Sequence, residues 1–422
     1  MKRTRDLHLI LTCAALVAAQ GSCVYADQPV AAPAAPTPPQ SAAAPTPLLN
    51  VDTPVNWWFA FKFNTASYPA SCPVAQRACT FGGVSQSYSK YSQEFAYASS
   101  ANTKLQLGGS CLGDGKADPV GATFDQIYGG KYFYVVWNDQ FYKDPVENRD
   151  EPWGHSKGVM AWDGSGNGVV MQVSTPDWPG AGNKAHPRQT LGNTLGCIAG
   201  DDDIEVSQHF FALKLTHGDV VRVLNALVNA SVVTDASNLQ IVKSGGPADV
   251  TAAVQGLGVK SVSKAATTVK LSSGVTLISK PSGLHVPPWQ MVSSLLGGEP
   301  LRVASWWDAP EIYSTTAATS VECWDAGLKT AAGAVEIATS GTWLGNPIGL
   351  KGGAATSANH AKLGVSTGKH NYSIFGDMNQ QGSLTKCASS QDARGGLFFV
   401  VDNAGLHESV AGLLKGESAP VQ

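Results

Sequence analysis

The chain has 422 residues, of which 43 % are hydrophobic and 14 % charged, and its formal net charge at pH 7 is −3. That apolar content supplies a sizeable core and excludes a disordered body, while the balance of charge excludes an obligate basic nucleic-acid coat protein. Forty-five glycines and 24 prolines predict many turns and few long helices.

The N-terminus reads as a secretory leader. Lys2, Arg3 and Arg5 precede an apolar stretch from Leu7 to Ala19, and Val24-Tyr25-Ala26 offers a cleavage site, so residues 1–26 are assigned as a signal peptide. The apolar run is short for a membrane anchor, and Gln20 is unsuited to a lipoprotein signal ahead of Cys23. No later run is long enough to span a bilayer. The expectation is a protein free of the membrane after cleavage, secreted or periplasmic. Removal of Cys13 and Cys23 leaves six cysteines, an even number suited to an oxidising compartment. Of their pairings, Cys72–Cys79, Cys111–Cys197 and Cys323–Cys387 are expected. Residues 27–48 are rich in Ala and Pro and read as an extended linker.

The body then runs in two halves, 49–235 and 236–422. Val55 to Phe63 and Tyr132 to Trp137 are aromatic and β-favouring and predict strands. His209 to Leu215 and Asp219 to Val228 carry helix-like apolar spacing, and Val250 to Ile278 is ambiguous. Interspersed strands and helices predict an α/β body.

A repeat links the halves. His155-Ser156-Lys157 recurs as His360-Ala361-Lys362. Each triplet is followed by an apolar stretch, a turn and a second apolar stretch: GVMAW, Asp163 to Gly168 and VVMQVST in the first half; LGVS, Thr367 to Asn371 and YSIFGDMN in the second. Both read as β-hairpins. On a strand, His155 and Lys157 share a face, as do His360 and Lys362. The returning strands bring Ser174 towards Lys157 and Asn379 towards His360. Two such units meeting at one site suit phosphodiester cleavage. One neutral histidine attacks phosphorus and the other, protonated, serves the leaving oxygen. The lysines, Asn379 and Ser174 stabilise the non-bridging oxygens. Neither a metal nor a cofactor is required, and spacing leaves open which histidine attacks.

The arrangement resembles the phospholipase D superfamily, built on two His-x-Lys motifs, and more specifically the deoxyribonuclease II family. The blocks that carry the likeness are Pro54-Val55-Asn56-Trp57-Trp58 with Phe61-Lys62, Trp137-Asn138-Asp139-Gln140, GHSKG at Gly154 to Gly158, Val173-Ser174-Thr175-Pro176 with Trp178-Pro179, Gln189-Thr190-Leu191 with Leu195-Gly196-Cys197, Asn359 to Leu363, Gly376-Asp377-Met378-Asn379, and Arg394-Gly395-Gly396. Asn359 stands where the family has an acid and Leu363 where it has an aromatic residue. The family's cysteines after the second motif are absent.

The resemblance implies a phospholipase D-like α/β fold. Two pseudo-symmetric halves, each a mixed β-sheet flanked by helices, would share one active site. It implies an acid endonuclease that cuts double-stranded DNA without divalent metal and leaves 3′-phosphates. His155, Lys157, His360, Lys362, Asn379 and Ser174 are the catalytic candidates. Lys62, Asn138, Asp139 and Thr175 are candidate substrate contacts, with Trp153 and Trp178 as candidate stacking residues. DNA is the expected partner, and a homodimer is compatible with the sequence. The rival readings are a phospholipase D-like lipid phosphodiesterase, which needs a wide apolar mouth, and an inactive DNA-binding relative. Removing the leader leaves the chain acidic at neutral pH, so protonation of its histidines should strengthen polyanion binding as pH falls.

Other motifs carry less. Gly364-Val365-Ser366-Thr367-Gly368 matches a hydrolase elbow but leads into a strand rather than a helix. Asp201 to Asp203 with Glu205 lacks the spacing of a calcium loop. If Asn359→Asp restored the family's acid, it would raise the pKa of His360, provided the side chains meet.

Overall fold

The computed structural model describes residues 43–68, 94–113, 115–141, 146, 150–182 and 205–422. The signal peptide, most of the Ala/Pro-rich segment, Cys72, Cys79, Cys197, Gln189 to Leu195 and Asp201 to Asp203 lie outside the described residues. No helix among the described residues is long and apolar enough to cross a membrane.

Two sheets carry the fold. The first contains β1 (Trp57–Lys62), β2 (Phe95–Ser99), β3 (Gln106–Leu107), β4 (Phe133–Asn138), β5 (Lys157–Trp162), β6 (Gly168–Val173), β7 (Gln208–Leu215) and β8 (Val242–Lys243). Its order is β3-β2-β1-β7-β6-β5-β4-β8, with every pair antiparallel. The second contains β9 (Thr267–Lys270), β10 (Thr276–Lys280), β11 (Leu301–Ala304), β12 (Val335–Ile337), β15 (Leu363–Ser366), β16 (Tyr372–Gly376) and β17 (Gly396–Asp402). Its order is β12-β11-β15-β16-β17-β10-β9, and only β11–β12 is parallel. A separate hairpin joins β13 (Ser340–Trp343) to β14 (Asn346–Gly349).

The helices are α1 (Pro119–Tyr128), α2 (His217–Asn229), α3 (Ala248–Gln255), α4 (Pro288–Leu295) and α5 (Ala404–Leu413). Asp118 caps α1 by accepting from the amides of Val120 and Gly121, and Thr216 with Asp219 forms a capping box on α2. The fold is therefore mixed α/β.

Alternation along the strands separates the cores. On β7, Phe211 faces the second sheet and stacks on Phe375 at 4.6 Å, as Phe59 also does. Its neighbour Phe210 faces the other way and meets Trp178, which packs in turn on Phe124 of α1. The outer face of the second sheet is covered by α4, whose Trp289 lies edge-on to Phe398.

Three expectations change. The segment expected as a helix at His209 to Leu215 is the central strand β7, hydrogen-bonded on one side to β1 and on the other to β6. Its apolar residues feed two cores, one per face, so pairing overrides the helix-like spacing. The chain from Ala43 already belongs to the compact body. Thr46 exchanges hydrogen bonds with Gln126, and Leu48 with Thr123, so those last residues of the Ala/Pro-rich segment are anchored on α1. The first sheet also runs past position 235, because β8 pairs with β4.

Both expected hairpins form. In the first, Trp162 faces Gly168, and in the second Val365 faces Ser373. The segments ahead of them cross between sheets. The amide of His155 donates to Gly395 O, just before β17, and the amide of His360 donates to Ser207 O, just before β7, each at 2.8 Å. These reciprocal bonds bring the two His-x-Lys triplets to one place. Cys323 and Cys387 form a disulfide, and Cys111 is also disulfide-bonded.

Candidate active site

A cavity of about 450 Å³ is lined by Gln140, His155, Lys157, Ser174, Pro176, Asp177, Trp306, His360, Lys362 and Asn379. All six catalytic candidates are thus in one wall system, although they come from segments more than 200 positions apart.

The protonation of His155 follows from its partner. Its Nδ1 lies 2.7 Å from the main-chain oxygen of Asp377. A carbonyl only accepts, so Nδ1 carries the hydrogen and Nε2 keeps its lone pair. Burial, then the Lys157 ammonium, holds the pKa of His155 well below the usual value. His155 is therefore a neutral imidazole with a nucleophilic Nε2.

His360 sits across the cavity, its ring 4.2 Å from that of Trp306 in an edge-on arrangement. Burial, then Lys362 and Lys157, lowers its pKa well below 6.5. An anionic substrate that neutralises these lysines offsets their share of that push and favours the imidazolium.

Lys157 and Lys362 differ in setting. Lys157 Nζ pairs with Asp139 Oδ1 at 2.5 Å, and Asp139 Oδ2 accepts from Arg394 at 2.8 Å. Burial alone would raise the pKa of Asp139, but the cations of Lys157 and Arg394 overcome it and hold the carboxyl well below the usual range. Arg394 also donates to the main-chain oxygens of Trp153 and Gly154, fixing the entry to the first motif. The Lys362 amide donates to His209 Nδ1 at 3.2 Å, so His209 carries its hydrogen on Nε2. Ser174 Oγ donates to Gln208 Oε1 and accepts from the His209 amide, and Asn379 Nδ2 donates to Gln381.

None of the six candidate substrate contacts lines this cavity. Asp139 is an internal counter-ion. Lys62 is buried, with its ammonium on Val206 O and Phe63 O, and its charge contributes to lowering the pKa of His360. Asn138 braces the Thr175–Trp178 turn through the main-chain oxygens of those two residues. Thr175 and Trp178 are buried, the latter between Phe124 and Phe210, which removes it from stacking on a base. Trp153 is partly buried, with the Lys260 ammonium 5.7 Å from its ring centre.

Asn359 is also turned inward. Its amide donates to Ser305 O and Ala361 O, and its oxygen accepts from the Ala361 amide. An aspartate there would lose both donors and face two carbonyls, so Asn359→Asp is a disruption rather than a tuning device for His360.

Sequence reasoning missed Asp377, Arg394 and Trp306 as functional residues. Asp377 and Arg394 stood inside recognised blocks, but only their contacts assign them work. Asp377 Oδ2 accepts from Ser156 Oγ at 2.6 Å and from the Leu397 amide, while its main chain holds His155. Burial pushes its pKa up to about 7 from 3.8. An unfolded chain releases this proton near pH 4 and the folded one only near 7. The stability conferred by the raised pKa is thus complete below pH 4, falls between the two values and is gone above 7. Asp377→Asn, which does not titrate, is expected to gain on the wild type by up to about 1.4 kcal/mol per pH unit across that window in urea melts. A gap that stays constant with pH would show an ionised Asp377.

Among the described residues, no three His, Cys, Asp or Glu side chains converge as a metal site. Two buried histidines and two lysines opening on a polar cavity are equipment for phosphoryl-group hydrolysis on an anionic substrate. The sequence model of the deoxyribonuclease II family matches residues 48–416, so the chain belongs to that family. It is a nuclease-type hydrolase whose substrate class is DNA. No curated protein matches the chain with significant similarity.

Proposed function

We propose that this protein is a secreted or periplasmic acid endodeoxyribonuclease that works through a covalent phosphohistidine and needs no divalent metal. The observation that carries the reading is the hydrogen bond from His155 Nδ1 to Asp377 O, which leaves Nε2 as the nucleophile. In the first step, His155 Nε2 attacks phosphorus, the P–O5′ bond breaks, and His360 as imidazolium gives its proton to the departing O5′. The 3′-phosphoryl group stays on His155. In the second step, neutral His360 takes a proton from water, the hydroxide forms a P–O bond, and the P–N bond breaks. A 3′-phosphate leaves, and both histidines return to their starting states. Lys157, Lys362, Asn379 and Ser174 surround the phosphoryl oxygens.

The fold reading is also phospholipase D-like. The strand order β1-β7-β6-β5-β4 in the first sheet has the same pattern as β10-β17-β16-β15-β11 in the second, which supports two pseudo-symmetric halves with one His-x-Lys motif each. The disulfides at Cys111 and between Cys323 and Cys387 support an oxidising compartment. A lipid phosphodiesterase fits less well, because the cavity walls are mostly polar, with Pro176 and Trp306 the apolar exceptions.

The test is plasmid cleavage by the purified protein at pH 5 in excess EDTA, with the ends analysed for 3′-phosphate. Full activity is expected. Because burial and the lysines depress His360, the alkaline limb of kcat/KM should lie below the ordinary histidine range near pH ~6.5. Activity that appears only with added Mg²⁺ or Ca²⁺ would refute the mechanism.

A further inference from the structure

Among the described residues, Trp306 is the one Phe, Tyr or Trp in the cavity wall, and it has a different environment from the tryptophan beside it. Trp307 donates its indole N–H to Ile312 O and packs against the core of the second sheet. Trp306 joins neither hydrophobic core, is partly exposed, and makes no indole hydrogen bond to any described residue. It is nevertheless held in place. A Cβ at Gly352 would come within 3.0 Å of two atoms of the indole, so the glycine backbone lies directly against the ring. His360 meets it edge-on at 4.2 Å. An indole braced by backbone, in contact with a reacting histidine and partly exposed where it lines the cavity, offers a stacking surface beside the reacting groups.

We propose that Trp306 binds a nucleobase, namely the base of the nucleotide on the leaving, 3′ side of the scissile phosphate. This rests on the reading of His360 as the acid for the departing O5′. The leaving oxygen belongs to that nucleoside, so the group beside His360 is its sugar and base. Indole surfaces hold unstacked bases with little regard to sequence, because every base has a π-face. The base must be unpaired to reach the ring. Duplex DNA that engages this site therefore opens locally at the cleaved position.

The experiment uses a short single strand with one phosphodiester among neutral methylphosphonate linkages, made with either a normal or an abasic nucleotide on its 3′ side. The wild type is expected to lose roughly tenfold or more in kcat/KM when the base is removed. Trp306→Ala should be slower on the intact strand and indifferent to base removal. Trp306→Phe should retain part of the discrimination, and Trp306→Leu, which keeps apolar volume but no π-face, should lose it. An undiminished ratio in Trp306→Ala and Trp306→Leu, or a wild type indifferent to the base, overturns the inference. Should the wild type cleave neither strand, the proposed function fails, and the same comparison read as binding by fluorescence anisotropy still decides the role of Trp306.

Discussion

Cleavage by His155→Ala and by His360→Ala is expected to fall at least 10³- to 10⁴-fold, each with native folding retained, on the scale of losing a reacting group. The two losses should not multiply in the double variant, because nucleophile and acid act in one event. His155 is expected to carry the covalent phosphoryl group. Its Nδ1–H is committed to Asp377 O, so only Nε2 faces phosphorus. Trapping with a substrate that bears a poor leaving group, followed by peptide mapping, should place the label in Gly154 to Gly158. Label in Asn359 to Lys362 would reverse the roles. Near-normal turnover by either variant would remove the two-histidine site altogether.

The lysines should slow the reaction about 10²- to 10³-fold when replaced by alanine, as loss of a transition-state charge contact does, but with different side effects. Lys157→Ala leaves the buried carboxylate of Asp139 with Arg394 as its remaining cation in that network. Breaking a buried pair in this way should also cost about 3 kcal/mol of stability. Lys157→Ala with Asp139→Asn should recover part of that stability and none of the activity. Lys362→Ala should instead change the pH profile. After burial, its charge is the largest influence lowering the pKa of His360, so its removal lets the imidazolium form more readily and moves the alkaline limb upward. Recovered turnover in the Lys157/Asp139 pair would show that Lys157 serves folding alone. An unmoved limb in Lys362→Ala would show that Lys362 does not govern His360.

The sequence by itself determined the local units. The two His-x-Lys triplets and the hairpins behind them are legible because alternation and glycine turns act over a few residues, and GHSKG and GDMN carry the family likeness. The helix expected at Asp219 to Val228, observed over His217–Asn229, was legible for the same reason. Only the tertiary structure decided how these units meet. The bonds from His155 to Gly395 and from His360 to Ser207 join positions that no local pattern connects. The same holds for Asp377, whose main-chain oxygen chooses the tautomer of His155 from 222 positions away. Burial is likewise a property of the folded chain. Pairing made β7 a strand, and burial turned Asp139 from a substrate contact into a counter-ion and sank Trp178 into the core while leaving Trp306 at the cavity. A residue's type states what chemistry it can do. Its depth and its neighbours, set by contacts far apart in sequence, fix its charge and whether a substrate can reach it.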